Sequence, residues 1–148
     1  MPGDTIPMNV HNMYGDRYVE VPVFAVKGEY DLMELAKFEP MDTIMIPAEL
    51  YQEGFIVIHN KGDAMEKLVM DGSKVVIDTT SREIVSGSIY ALRIPWEGCI
   101  LRECHSEPHG LLLRPHNRNY PLTTLSWDEF DPEMVIGKVF CSVINVFR

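Results

Sequence analysis

The chain has 148 residues, 46% of them hydrophobic and 24% charged, values typical of one soluble globular domain with a core of its own. No apolar run approaches the roughly 18 residues that a membrane-spanning helix needs, which argues against an integral membrane protein. Because 22 Asp and Glu outnumber 13 Lys and Arg, the formal net charge is −9, and such a surface repels the phosphates of DNA or RNA.

The N-terminal segment, residues 1–17, contains Pro and Gly without apolar periodicity and is predicted to be a linker or arm. The first strand is predicted at residues 18–26, which are rich in β-branched side chains, with Pro22 indicating a sheet edge or a strand start. Residues 29–38 fit either a short helix or a loop. The folded domain is expected to occupy residues 18–148.

The middle of the chain alternates between extended and turn-forming segments. Strands are predicted at residues 43–46, 54–59 and 74–78. A helical turn is expected around residues 47–51. A short helix is expected after Gly62, because Asp63 can cap it and Glu66 stands three residues later, as in a capping box.

The second half of the chain is predicted to be almost entirely β. Short apolar runs are separated by turn residues such as Pro95, Gly98 and Gly110. The predicted strands are residues 88–94, 99–104, 111–114 and 134–147. Many short strands with little helix indicate a mainly β fold of bent antiparallel sheets with one or two short helices.

Four segments follow one another in the order of a known family signature. They are Gly62-Asp63-Ala64-Met65 with the strand that ends at Asp78, residues 86–92, residues 113–121 (Leu-Arg-Pro-His-Asn-Arg-Asn-Tyr-Pro), and residues 135–139. Residues 18–24 are also similar to the segment that precedes the self-cleavage site of phage repressors. The chain thus resembles the C-terminal domains of the LexA, UmuD and phage-repressor family, which are peptidase S24-like. The resemblance implies a LexA/signal-peptidase-like fold.

The resemblance also implies a catalytic pair, a Ser nucleophile and a Lys base, with which family members cleave their own chain. The nucleophile position is Ala64, and a methyl group cannot attack a carbonyl. Its flanking residues are Gly62, Asp63 and Met65. Counting without a gap, the base position falls on Arg102, whose guanidinium stays protonated at neutral pH. We therefore expect vestigial positions and no active catalytic residue.

The equivalent of the cleavage loop departs from the family pattern as well. The Ala-Gly pair of the scissile bond is not evident after Phe24, and Lys27 and Gly28 lie nearest in place. The charge of Lys27 would enter a subsite that the family keeps small and apolar. These departures predict a degenerate S24 serine peptidase without activity. The alternative is a self-cleaving Ser/Lys peptidase of LexA or UmuD type in which an engineered substitution introduced Ala64.

The last predicted strand has apolar residues on both faces, and at a sheet edge it would expose apolar surface and unpaired backbone. A second copy related by a two-fold axis would cover both. The resemblance agrees, because the C-terminal strand of this family contributes to the dimer interface. The predicted interface residues are Val139, Cys141, Val143, Asn145 and Phe147. Burial of this strand within the monomer is the alternative.

Together these expectations describe the C-terminal dimerisation or oligomerisation domain of a phage-type transcriptional repressor. DNA would be reached only through an N-terminal helix-turn-helix domain outside this chain, and assembly would raise the local concentration of the second DNA-binding head. We expect a homodimer or higher homo-oligomer, a regulatory protein as a further candidate partner, no cofactor and no membrane. A start without signal-peptide features and three cysteines without CxxC spacing favour the cytoplasm.

Two further groups of side chains leave alternatives open. Cys104, His105 and His109 are close enough in sequence to be considered as metal ligands, but their spacing fits no usual zinc site and no metal is expected. Trp96 and Trp127 either anchor a partner or fold back onto the sheet.

Overall fold

The computed structural model describes residues 9–13, 16–25, 42–95 and 97–143. The strands are β1 Asn9–Met13, β2 Asp16–Ala25, β3 Asp42–Pro47, β4 Phe55–His59, β5 Lys74–Asp78, β6 Ser88–Ile94, β7 Gly98–Glu107, β8 Gly110–Arg114, β9 Thr123–Ser126 and β10 Val135–Val143. A 3₁₀ helix, Pro132–Met134, precedes β10. The mainly β fold is confirmed. Within these ranges no helix is long and apolar enough to cross a membrane.

The ten strands form one sheet in the order β1-β2-β4-β5-β10-β6-β7-β8-β9, with β3 on the other edge of β2. Neighbouring strands are antiparallel as predicted, except that β2 and β4 are parallel, with Val23 opposite Val57 and Ala25 opposite His59. Pro22 therefore lies neither at a strand start nor on an outer strand. Along one edge of β2, residues 16–20 pair with β1 and residues 23–25 pair with β4. Pro22 lies between these two ranges and has no ladder partner on this edge, where its missing N–H is not needed.

The predicted arm contains a strand. β1 forms a hairpin with β2, in which Asn9 lies opposite Glu20 and Met13 opposite Asp16. The division of the chain at residue 18 stays a prediction. The ambiguous segment 29–38 lies outside the described residues.

The core consists of three apolar clusters on the two faces of the sheet. One face of β4 and β5 carries the cluster that lies next to the candidate site, and it extends to β6 and β7. Its buried residues are Phe24, Ile56, Ile58, Met65, Val69, Val75, Ile77, Ala91 and Leu101. A second cluster fills the sheet from β6 to β9, and a third joins β2 and β3 to the opposite face of β4 and β5.

The last strand is not an outer strand of the sheet, which corrects the edge premise of the sequence analysis. β10 pairs with β6 through residues 135–138 and with β5 through residues 138–143. Its apolar residues on both faces are explained by this central position, where Val135 and Gly137 are buried. From Val139 onward, only β5 pairs with β10 among the described residues.

The helix predicted after Gly62 is a series of turns. Glu66 N–H donates to the Asp63 carbonyl at 3.1 Å, and Val69 N–H donates to the Met65 carbonyl at 2.8 Å. Lys67 has a φ of +85°, a left-handed conformation that ends any right-handed helix at this point. Of the three residues expected to form its buried face, Met65 and Val69 are buried, but Leu68 is 48% exposed.

Candidate functional site

A cleft of about 230 Å³ lies between the end of β4 and the first half of β7, and both Ala64 and Arg102 line it. One wall consists of residues 58–62 with Ala64 and Met65. The segment Gly62-Asp63-Ala64-Met65 is here called the elbow. The other wall consists of β7 from Cys99 to Arg102, with Glu97 before it, and Tyr120 completes the lining. Two positions 38 residues apart in sequence therefore share one cleft.

The loop after β8 holds the elbow in place. Tyr120 donates its hydroxyl hydrogen to Asp63 Oδ1 at 2.6 Å, and Asn117 Nδ2 donates to the Asp63 carbonyl at 3.1 Å. Asn117 also donates its backbone N–H to the Ala64 carbonyl at 2.8 Å. These three hydrogen bonds fix the backbone on both sides of the Ala64 side chain.

The turn before β5 supports the elbow from the other side. Gly62 N–H donates to Asp71 Oδ1 at 2.9 Å, and Asn60 Nδ2 donates to the Met70 carbonyl at 2.9 Å. The φ of Gly62 is +108°, which a residue with a side chain rarely adopts. Gly62 therefore allows the chain to turn sharply from β4 into the elbow.

Arg102 places a cation in the cleft. Its side chain is 12% exposed, Nη1 donates to the Leu101 carbonyl at 2.7 Å, and Nη2 lies 4.0 Å from Glu97 Oε2. The guanidinium also lies 5.9 Å from the centre of the Tyr120 ring. Burial lowers the pKa of Arg102 because it removes water from the charged form, and nearby Glu97 opposes this effect.

The lining holds few groups that could perform covalent catalysis. Ala64 offers only a methyl group at the elbow, and the described lining residues include no Ser or Thr. Cys99 lines the cleft, but burial raises the pKa of its thiol to about 12, so the reactive thiolate is scarce at neutral pH. Among the described lining residues, neither the hydroxyl nor the lysine amine of a Ser/Lys pair is present at Ala64 and Arg102.

The remaining predicted site residues are placed as follows. On β10, Val139 is partly buried, whereas Cys141 and Val143 are exposed. The predicted cleavage-loop residues Lys27 and Gly28, and the predicted interface residues Asn145 and Phe147, lie outside the described residues.

Of the three side chains considered as metal ligands, Cys104 and His105 have other partners, and His109 is exposed in the turn between β7 and β8. Cys104 is fully buried, and its Sγ lies 3.6 Å from the Arg102 carbonyl. His105 Nε2 forms a hydrogen bond with Glu103 Oε2 at 2.8 Å. In the part of the chain that the structure describes, no group of three or more His, Cys, Asp or Glu could hold a metal ion.

The two tryptophans also differ in placement. Trp127 donates its indole N–H to the Glu107 carbonyl at 2.9 Å and packs edge-on against Phe130. It thus folds back onto the domain, although its side chain is 41% exposed. Trp96 lies outside the described residues.

Three residues that contact the elbow or Arg102, namely Asn117, Tyr120 and Glu97, had no role in the sequence analysis. Asn117 and Tyr120 stood within the recognised segment 113–121, and their polar side chains in a loop were a signal that could have assigned them to the elbow. Glu97 had no such signal, because its approach to Arg102 depends on the conformation of the turn between β6 and β7.

Comparison with known proteins identifies the family. The family model described as Peptidase S24-like matches residues 22–140. The chain is also similar to Repressor protein CI of Enterobacteria phage phi80, with 32% identity over 98 residues, which is 64% of this chain and 39% of the length of that repressor. The family match includes the elbow, the strand of Arg102 and the loop that holds Asp63. The chain belongs to the Peptidase S24-like family.

Proposed function

We propose that this chain is the C-terminal assembly domain of a phage-type transcriptional repressor, with a cleft of peptidase S24 type that does not cleave. The observation that carries the proposal is the presence of Ala64 and Arg102 in the same cleft. The similarity to a phage CI repressor supports the repressor role. The matched part of that repressor is 39% of its length, so the function of the whole protein belongs to this proposal.

The loss of cleavage follows from the chemistry of both positions. A Ser/Lys peptidase needs a hydroxyl to attack and a neutral amine to accept its proton. Ala64 supplies no hydroxyl. A guanidinium keeps its proton at neutral pH, and Arg102 therefore cannot replace the neutral lysine.

Assembly is supported by the exposed end of β10. Phe140 is 44% exposed and Val143 is 42% exposed, and Cys141 between them is exposed too. Among the described residues, this end of the strand has β5 on one side and no ladder partner on the other. A second copy would cover the apolar side chains and satisfy the free strand edge.

DNA binding would come from a helix-turn-helix domain that is not part of this chain. The net charge of −9 disfavours contact between this domain and phosphate. Pairing of two copies would hold two DNA-binding heads close together, so the second head binds its half-site as an intramolecular event. This role places the protein in the cytoplasm.

A substitution series tests the absence of cleavage. We expect the native chain and Ala64→Ser to remain intact during incubation at alkaline pH, as followed by mass spectrometry, because Arg102 cannot accept the proton of the new hydroxyl. Ala64→Ser/Arg102→Lys should also remain intact, because Lys27 brings a charge to a subsite that the family keeps small and apolar. Cleavage near Lys27 in the single variant would show that the site is competent and would contradict the proposal. Arg102→Lys alone is the matched control for changes in stability.

The second candidate function is a self-cleaving peptidase whose serine has been replaced by Ala64. The observation in its favour is that the elbow keeps three hydrogen bonds from Asn117 and Tyr120, although the methyl group of Ala64 cannot act as a nucleophile. The Ala64→Ser variant separates the two candidates, because this candidate requires cleavage once the hydroxyl returns.

Sedimentation velocity tests assembly. We expect the native chain to form a dimer or larger oligomer and Val143→Asp to shift it towards monomer, because a carboxylate would be buried in the interface. Val85→Asp is the matched control, since Val85 is 58% exposed and lies before β6, away from the end of β10. A monomeric native chain, or equal effects of both variants, would contradict the role of β10.

A further inference from the structure

The charge of Arg102 is only weakly compensated within the cleft. The distance from Nη2 to Glu97 Oε2 is 4.0 Å, the outer limit of an ion pair, and the Glu97 side chain is 40% exposed. The hydrogen bond from Nη1 to the Leu101 carbonyl satisfies one donor of a group that has five N–H bonds. A cation that is 12% exposed and weakly paired favours the arrival of an anion.

The rest of the lining adds to this preference. Lys61 contributes a second positive charge, and Glu97 is the acidic side chain of the lining. Asp63, next to the cleft, accepts the hydroxyl hydrogen of Tyr120 through Oδ1. The backbone N–H groups of Ala64 and Met65 have no hydrogen-bond acceptor among the described residues. The side chains that line the cleft thus carry two positive charges and one negative charge, in a chain with a net charge of −9.

We infer that this cleft binds a carboxylate, which accepts hydrogen bonds from the Arg102 guanidinium in the space beside the Ala64 methyl group. A guanidinium presents parallel N–H groups that match the two oxygens of a carboxylate. A single negative charge suits the site better than a phosphate dianion, because Glu97 stands on the same wall. The inference goes beyond the proposed function and does not depend on assembly.

The size of the cleft restricts the ligand. Its volume of about 230 Å³ is below the roughly 300–1,000 Å³ of sites that hold drug-sized molecules. It therefore accepts a small carboxylic acid or the last residues of a peptide with a free C-terminus. Both kinds of ligand carry a carboxylate. The peptide can make additional apolar contacts through the residues that precede its C-terminus, and the small acid cannot.

Calorimetric titration of the full chain tests the inference with three probes: propionate, N-acetyl-trialanine with a free carboxylate, and the same tripeptide as its C-terminal amide. We expect the tripeptide acid to bind at least about tenfold more tightly than the amide, because the amide lacks the charge that faces Arg102. If the acid binds more tightly than propionate, the ligand is a peptide terminus. If the two bind equally, it is a small acid.

Substitutions locate the binding site. Arg102→Gln should weaken binding of the tripeptide acid by at least about tenfold, and Arg102→Lys should weaken it less. Arg114→Gln is the matched control, because Arg114 is exposed on β8 and does not line the cleft. Ala64→Leu fills the cleft and should abolish binding, which provides a second route if Arg102→Gln does not fold.

Three results would overturn the inference: equal affinity for acid and amide, no binding at millimolar concentration, or unchanged binding by folded Arg102→Gln or Ala64→Leu. Sedimentation of the same samples keeps the proposed function separate. A chain that is monomeric yet binds the acid contradicts assembly alone.

Discussion

Tyr120 donates a hydrogen bond to Asp63, which precedes it by 57 residues, and this contact joins the loop after β8 to the elbow of the cleft. The hydrogen bond to Asp63 is the first cause that raises the pKa of Tyr120. The Nδ2 amide of Asn117 donates a second hydrogen bond to Asp63, at the backbone carbonyl of Asp63. The position of the elbow is therefore set by a distant loop as well as by the neighbouring strands.

Asn117→Ala is expected to destabilise the domain by about 1–2 kcal/mol, because it removes side-chain hydrogen bonds to the Asp63 carbonyl and to Asn119 N–H. Urea unfolding followed by circular dichroism measures the change. Asn119→Ala is the matched control and should change the free energy of unfolding by less than about 0.5 kcal/mol, since Asn119 uses only its backbone here. Equal losses in the two variants would refute the role of the Asn117 side chain.

Gly137→Ala is expected to destabilise the domain by at least about 2 kcal/mol, because the added methyl group would collide with the backbone of Asp78 on β5. Gly137 is buried where β10 changes from pairing with β6 to pairing with β5. Thermal unfolding by calorimetry measures the effect, with exposed Lys138→Ala as control. A Gly137→Ala protein as stable as the native chain would argue against the central position of β10.

Glu103 should contribute to stability in a pH-dependent way. Its carboxylate binds His105 Nε2 at 2.8 Å and His116 Nε2 at 3.3 Å, and the hydrogen bond with His105 is the first cause that lowers the pKa of Glu103. A lowered pKa in the folded state stabilises the protein above the ordinary value of 4.5, and the contribution disappears as the pH falls from 4.5 through the folded value.

The test compares the free energy of unfolding of the native chain and Glu103→Gln across this acidic range. We expect the difference to be largest near neutral pH and to shrink below pH 4.5. Glu107→Gln, on the same strand but exposed, serves as control. A difference that stays constant with pH would mean that the ionised carboxylate is not what stabilises this contact.

The three cysteines should react at different rates with a thiol reagent at mildly alkaline pH. Burial raises the pKa of all three thiols, to about 12 for Cys99 and Cys104, but only Cys141 is exposed to the reagent, on β10. We expect one thiol to react quickly in the native chain and none in Cys141→Ser. In denaturant, all three thiols of the native chain should react quickly. If two copies pair through β10, the fast reaction should also slow as protein concentration rises. Labelling of Cys99 as fast as that of Cys141 would contradict the scarcity of the Cys99 thiolate.

Local pattern predicted most strands of the sheet correctly, since alternation and β-branched composition are properties of a few adjacent residues. β4 and β5 lie almost where the sequence predicts them, and β10 begins within one residue of its predicted start. The position of β10 in the sheet was not predictable in this way. It depends on pairing with β5 and β6, which are distant in sequence, and an apolar strand fits a central position as well as an interface.

The sequence predicted which residues occupy the site, but it did not predict the contacts that hold them. The family resemblance identified Ala64 and Arg102, and the structure places both in one cleft. The expected helix after Gly62 failed because Asp63, assigned as its cap, accepts a hydrogen bond from Tyr120, and because Lys67 adopts a left-handed conformation. A capping pattern cannot reveal a competing partner 57 residues away.

The parallel pairing of β2 with β4 connects the N-terminal hairpin directly to the wall of the cleft. Three residue pairs make up this junction, and the last of them joins Ala25 to His59, which belongs to the cleft wall. The placement of β2 and the position of that wall are therefore coupled through one short ladder, on the side of the cleft opposite Arg102.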